Sequence, residues 1–280
     1  MKNLKIVLIG GTSKFGQLWK RYFEGKWLTV IIASRTTEIT PEEAVKLGDV
    51  IIFSVSIRHT VSTIERLIPL IPDNRLVMDF TGIKTEATEA LRKYTRGEVV
   101  ATHPMFGPWT TSLQNQNIAF DPVQAWEKWD CISNLWREDG ANLIELPSHK
   151  HDELVAIVQS TTHIMSLMLG HVLEKRGINL AEIMRIATPI SRMQLFILAR
   201  FLNQEASLYT DMQMHNNIYK KEILGDIQQY FKSVGSMVQE WRSDDFETEF
   251  NKIKAYIGQD FLDRALQVSS KLDEELKKQG

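Results

Sequence analysis

The 280-residue sequence predicts an α/β fold: a doubly wound parallel sheet, followed by an all-helical domain. Three observations carry this. Short β-branched apolar runs alternate with amphipathic segments through the first half. A glycine-rich turn joins the first run to the first amphipathic segment. Beyond His149 the strand-like runs stop and helical spacing takes over.

The first run, residues 5–9, reads as a buried strand, and Phe15, Leu18, Trp19, Tyr22 and Phe23 then fall at helical spacing. Further strands are expected at 28–32, 49–53, 75–79, 98–101 and 142–146, with Trp126, Trp129 and Trp136 on a helix before the last. Runs that are apolar throughout, with helices between them, indicate a parallel sheet covered on both faces. From His149 on, the residue sets Leu154/Ile157/Val158/Thr161, Met193/Phe196/Ile197/Arg200/Phe201 and Ile223/Ile227/Tyr230/Phe231 carry helical spacing. The length suits two domains, expected at 1–147 and 148–280. Wide apolar faces on the second domain suggest that it buries them against a second copy, as a homodimer.

Composition excludes several classes. Apolar residues at 43% and charged residues at 24% are globular values. Thirty-three basic against 35 acidic side chains give a net charge of −2, no footprint for nucleic acid and no attraction to a membrane surface. The single cysteine, Cys131, rules out an internal disulfide framework and fits a reducing compartment. No apolar run approaches the ~20 residues that span a bilayer. Residues 1–5 lead straight into the first strand without the pattern of a signal peptide, so a cytoplasmic location is expected.

Residues with chemistry collect at expected strand ends. After the first strand stand Gly10, Gly11, Thr12, Ser13, Lys14, Phe15 and Gly16. Aligned to G-x-G-x-x-G, Gly11 is first, Ser13 replaces the second glycine, and Gly16 is third. Such a turn gives a Rossmann-like half its dinucleotide site: the helix N-terminus offers free N–H groups and a positive dipole end to a pyrophosphate. Ser13 is small, and its hydroxyl can donate to a phosphate. The second strand should end on an acid that reads the ribose of NAD. The chain has Ser34, Arg35 and Thr36 there instead. An arginine attracts a 2′-phosphate, so NADP is expected over NAD.

His103 follows the fifth strand, between Thr102 and Pro104. At the carboxyl edge of a sheet, a histidine titrating near neutrality can take a proton from a substrate hydroxyl, or it can simply cap a turn. Lys84 follows the fourth strand and can orient a substrate oxygen, the nicotinamide amide or a loop. In the helical half, His163 lies among apolar neighbours, and Arg192 sits one turn inside a helix start with Arg200 two turns later. An arginine can grip a carboxylate through two hydrogen bonds. His149, His151 and His163 make no convincing metal site.

With the hexapeptide His103-Pro104-Met105-Phe106-Gly107-Pro108 in place, the chain resembles the prephenate dehydrogenase family, in its simple two-domain form. The likeness takes in the glycine turn, residues 79–84, Ser112 and Leu113, His151 and Asp152, the His163 region, residues 188–190 with Arg192, and residues 208–211. It implies oxidative decarboxylation of prephenate to 4-hydroxyphenylpyruvate in tyrosine biosynthesis, with hydride passing from ring carbon C4 to the nicotinamide. It also implies that His103 accepts the C4 hydroxyl, that Arg192 holds a substrate carboxylate, that His163 lines the same pocket, and that Gly10, Gly11 and Gly16 form the cofactor turn. Two departures stand out. Gly82 occupies a position where many members carry serine, leaving Thr81, Thr102 or water to substitute, and Thr161 and Thr162 lie where some members have a further histidine. Arogenate dehydrogenase and a degenerate, non-catalytic dinucleotide-binding protein of the same fold are the alternatives.

Overall fold

The structure, a computed structural model, describes residues 4–215 and 218–278. It divides into two compact units, Met1–Val155 with Ser207–Asn217, and Ala156–Ala206 with Ile218–Gly280.

The first unit is built on a seven-stranded sheet: β1 (Lys5–Ile9), β2 (Thr29–Ala33), β3 (Val50–Phe53), β4 (Leu76–Asp79), β5 (Glu98–Pro104), β6 (Asn117–Gln124) and β7 (Asn142–Glu145), in the order β2-β1-β3-β4-β5-β6-β7. Strands β1 to β5 run parallel. Alternation along them sorts the continuous apolar runs onto two faces. Ile6, Leu8, Val50, Ile52, Leu76, Met78 and Val100 join α1 (Lys14–Gly25) and α5 (Glu127–Glu138) in one core. Val7, Ile9, Ile51, Phe53, Val77, Val99 and Ala101 join α3 (Ile57–Leu67) and α4 (Thr85–Leu91) in the other. A short α2 (Pro41–Ala44) follows β2. This is the doubly wound architecture that the sequence predicts.

The last two strands depart from the all-parallel expectation. Strand β6, absent from the sequence reading, pairs antiparallel with β5 and parallel with the edge strand β7. Pro122 conceals it in the sequence, since proline removes a ladder donor. The register accommodates this: Ala101 faces Asp121, but Val99 faces Gln124, so Pro122 sits in a bulge. Strand β5 is also longer than expected and carries Thr102 and His103 within the sheet itself. Its first residue, Glu98, starts α5. The buried carboxylate accepts backbone N–H groups of Trp126 at 2.9 Å, Lys128 at 3.0 Å and Trp129 at 2.9 Å, capping a helix whose own N-cap makes no side-chain bond.

After β7 every described element is helical: α6 (Ser148–Val155), a π-helical turn (Ala156–Ser160), α7 (Thr161–Arg176), α8 (Leu180–Ile186), α9 (Pro189–Leu202), α10 (Ala206–Met214), α11 (Ile218–Gln239), α12 (Ser243–Ile257) and α13 (Gln259–Lys277). The division between the units falls at the π turn. Gly177, at φ +60°, stops α7 in the left-handed conformation that favours glycine. Thr188 and Ser191 cap α9 reciprocally, with Pro189 in its first turn. In the first unit, Arg58 of α3 holds Asp211 of α10 through both carboxylate oxygens, with Nε at 2.8 and 3.1 Å.

Candidate active site

The glycine turn leaves β1 where the sheet order reverses, between β1 and β3. Each glycine is required by space. Gly10 has φ +86°, and a Cβ there would lie 2.3 Å from the carbonyl oxygen of Ser54. A Cβ on Gly11 would lie 2.6 Å from Ile32, and one on Gly16 would lie 2.6 Å from the Gly11 Cα. Gly16 thus lets α1 press on the turn, the part of the third glycine in a dinucleotide motif. Ser13 is the α1 N-cap, with its Oγ accepting Gly16 N–H at 2.9 Å, so its hydroxyl proton remains available to an anion. Thr12 and Ser13 are exposed. Phe15, within the turn expected to hold the cofactor, packs into an aromatic cluster, with ring centroids 6.2 Å from Trp19, 6.0 Å from Phe80 and 6.1 Å from Phe106. That cluster ties the glycine turn to the loop after His103.

The end of β2 is fixed beside this turn by Gly10 N–H donating to Ala33 C=O at 2.7 Å. Thr37 Oγ1 accepts Ser34 N–H at 2.8 Å and donates to Ser34 C=O at 3.0 Å, and Ser34 Oγ accepts Thr36 N–H at 3.2 Å. Arg35 is exposed at the tip of this closed turn. The residues present therefore fit a dinucleotide: a cradle that any Cβ would fill, a helix N-terminus, and a cation at the second strand's end.

The second cluster lies at the carboxyl ends of β4 and β5. His103 is 9% exposed. Its Nδ1 lies 2.9 Å from His151 Nε2 on α6, and His151 Nδ1 lies 3.0 Å from Asp152 Oδ1. Asp152 also accepts Lys84 N–H at 2.7 Å, Thr85 N–H at 2.8 Å and Thr85 Oγ1–H at 2.6 Å. The opposite side of the His103 ring faces Gly82, where a Cβ would lie 3.4 Å from Nε2. Burial, then the neighbouring His151 and Lys84, hold the His103 pKa well below its ordinary value, against the pull of Asp152. His103 is therefore a neutral base at neutral pH. Burial likewise lowers His151 against its bond to Asp152. Burial opposes ionisation of Asp152, but the bonds from His151, Thr85 and the two backbone N–H groups outweigh it and keep the carboxyl below its usual range.

Lys84 lies after β4, where the sequence places it, but it is buried. It is 1% exposed, ion-paired with Asp79, and donates to Thr102 C=O at 2.6 Å. Burial pushes its pKa down and that of Asp79 up, each opposed by the other's charge. Its ammonium thus ties the end of β4 to the β5 residue that precedes His103. Thr102 is also engaged internally: its hydroxyl donates to Asp79 C=O and its side chain is fully buried. It cannot supply the hydroxyl missing at Gly82. Thr81 Oγ1, by contrast, is buried without a hydrogen-bond partner. Asp79, His151 and Asp152 were not singled out as site residues from the sequence. The signals were an acid ending the apolar strand β4 and a His-Asp pair opening the helical half.

In the second unit, the His163 ring stacks on Phe201 with centroids 5.1 Å apart. Burial, then Lys220, lowers its pKa. Arg192, in the first turn of α9, pairs with Asp273 of α13 at 2.5 Å, and Lys277 reaches the same carboxylate at 2.6 Å.

Sequence comparison matches residues 31–145 to the nucleotide-binding domain of prephenate dehydrogenase and residues 147–257 to its dimerization domain. A probable arogenate/prephenate dehydrogenase of Methanocaldococcus jannaschii is 33% identical over 233 residues, 76% of this chain. The T-protein of Haemophilus influenzae is 29% identical over 271 residues, 96% of this chain. The chain spans 52% of the length of the former and 71% of the latter. Among solved structures, Synechocystis arogenate dehydrogenase aligns with a TM-score of 0.64 at 19% identity, over 90% of this chain and 98% of its own. Prephenate dehydrogenase of A. aeolicus, in complex with hydroxyphenyl propionate and NAD+, aligns with a TM-score of 0.65 at 13% identity, over 92% and 99%. These two likenesses bear on the fold. Both domains are matched in order, from residue 31 to residue 257, and on that ground the chain belongs to the prephenate dehydrogenase family.

Proposed function

We propose that this chain oxidatively decarboxylates prephenate to 4-hydroxyphenylpyruvate with NADP, using His103 as the base at the C4 hydroxyl. One observation carries the reading: a buried, neutral histidine, anchored through Nδ1, turns Nε2 toward the open position at Gly82 at the carboxyl edge of a dinucleotide-type sheet. A base held neutral at working pH can accept a proton as charge develops on the substrate oxygen. When bound, the nicotinamide supplies the hydride acceptor. As the C4–H pair leaves, His103 Nε2 accepts the hydroxyl hydrogen bond. The C1–carboxylate bond breaks, its electrons complete the aromatic ring, and CO₂ departs.

In this reading Gly10, Gly11 and Gly16 shape the pyrophosphate cradle, with Thr12 and Ser13 at its rim. Arg35 serves the 2′-phosphate, and Ser34 and Thr36 shape its turn. Lys84 and Asp79 hold the strand ends, and Thr81 offers a hydroxyl near Gly82. Arg192 and His163 serve the substrate, with Arg192 exchanging Asp273 for a substrate carboxylate. Phe250, Phe261 and Leu266 leave α12 and α13 with exposed apolar surface that suits a second copy, so the chain is read as a homodimer. No described helix is long and apolar enough to cross a membrane, and we assign the protein to the cytoplasm.

The test is nicotinamide reduction with prephenate or arogenate, each with NAD or NADP. Turnover of prephenate with NADP preferred is expected. Arogenate preferred would transfer the reading to the amino analogue, NAD preferred would remove Arg35 from cofactor choice, and no turnover in any mixture would overturn the enzyme reading.

A further inference from the structure

We propose that His151 and Asp152 are positioning residues that fix the tautomer of His103, keeping its Nε2 bare and ready to accept. This rests on the reading of His103 as the base. The argument starts at Asp152. An ionised carboxylate only accepts, and it has about four lone-pair sites. Here Oδ1 faces Lys84 N–H at 2.7 Å and His151 Nδ1 at 3.0 Å, while Oδ2 faces Thr85 N–H at 2.8 Å and the Thr85 hydroxyl at 2.6 Å. With donors on every side, this carboxylate remains unprotonated, so His151 must carry its proton on Nδ1.

A neutral imidazole bears one proton. His151 Nε2 is then an acceptor, and the atom 2.9 Å from it, His103 Nδ1, must be the donor. That leaves His103 Nε2 without a proton, on the side facing Gly82. Two consecutive acceptor–donor assignments thus run from a backbone-anchored carboxylate to the ring that carries the reacting nitrogen. The reverse assignment needs a doubly protonated His151, which its burial disfavours. The groups that act on these rings are few. His103 meets His151, Lys84 and Asp152, and His151 meets Asp152, Lys84 and Asp79. When His103 takes a proton on Nε2, its Nδ1 proton can pass to His151, which leaves the positive charge beside the Asp152 carboxylate.

Asp152→Asn gives a specific consequence. The two Thr85 donors hold the amide oxygen at the Oδ2 place against the single Lys84 N–H at the Oδ1 place, so the amide NH₂ faces His151 Nδ1 and the Lys84 N–H loses its acceptor. Both rings then reverse, and His103 carries its proton on Nε2, where it cannot accept. The experiment reads histidine ¹⁵N chemical shifts in the intact protein, a readout that needs no substrate, together with kcat. Wild-type protein is expected to show His103 protonated on Nδ1, and Asp152→Asn to show it on Nε2 with kcat lower by about 10²-fold or more, the scale of general-base assistance. His151→Gln keeps an acceptor oxygen for His103 Nδ1 and should keep the tautomer and most of kcat. His151→Leu should lose both, with the affinity for NADP unchanged. This glutamine–leucine pair decides the matter even if Asp152→Asn does not fold. Nε2 protonation in the wild-type protein, or a kcat for His151→Leu within twofold of wild type, would overturn the proposal. Absence of turnover in the wild-type protein, with the tautomers as expected, would instead overturn the functional reading alone.

Discussion

Gly82 shows how much one missing side chain decides. A Cβ there would sit 3.4 Å from His103 Nε2 and 3.5 Å from Cε1, ordinary van der Waals contact, and the glycine has no positive φ to forbid a side chain. Gly82→Ser should therefore fold and bring a hydroxyl to the reacting nitrogen. A net hydrogen bond of about 1 kcal/mol, present only as charge develops, corresponds to about fivefold in kcat. Steady-state kinetics on the variant measures it; an unchanged or lower kcat would show that Thr81 or a water already does this work. His103 and Gly82 were both legible as residues, because a hexapeptide and a departure from a family pattern are local features. The partners of His103 were not. His151 lies 48 positions away, and only the packing of α6 against the strand ends brings the two rings to 2.9 Å.

At the scale of elements, legibility followed periodicity. Strands β1, β3 and β4 were readable because each is an apolar run buried on both faces, and β2, half-buried at the sheet edge, because its run is equally β-branched. Strand β6 was not, because Pro122 is a negative signal unless a bulge receives it, and a bulge is a property of two strands. The extension of β5 through His103 was hidden for a related reason: Thr102 and His103 are polar, and their ladder partners Phe120 and Ala119 lie on that unrecognised strand. The burial of Lys84 was not readable either. A lysine at a helix start is ordinarily solvated, but here Asp79 and the Thr102 carbonyl draw it inside, where it braces the strand that carries His103. The ring contact of Phe15 with Phe106, which joins the glycine turn to the loop after His103, was equally hidden, since the two residues lie far apart in the sequence.

At the scale of the whole molecule, the buried histidines couple stability to pH. The folded-state pKa values of His103, His151 and His163 are all lowered by burial. An unfolded chain takes up these protons near pH 6.5, while the folded protein resists until lower pH. The unfolded state therefore binds more protons in that window, so this contribution is fully present above about pH 6.5 and is lost as pH falls toward the folded pKa values. Asp79, raised by burial, acts in the opposite sense. Thermal melts between pH 7.5 and 5.5 should show Tm falling on acidification, with a shallower fall in His103→Asn; equal slopes would mean that His103 is not held neutral by the fold.

The central claim is that this molecule is a dehydrogenase whose base is His103, and kcat of His103→Asn in the prephenate–NADP assay tests it most directly. Asparagine keeps a polar group of similar reach but cannot accept a proton near neutrality. The account predicts a fall in kcat of about 10²-fold or more with cofactor affinity unchanged. A kcat equal to that of the wild type would contradict it.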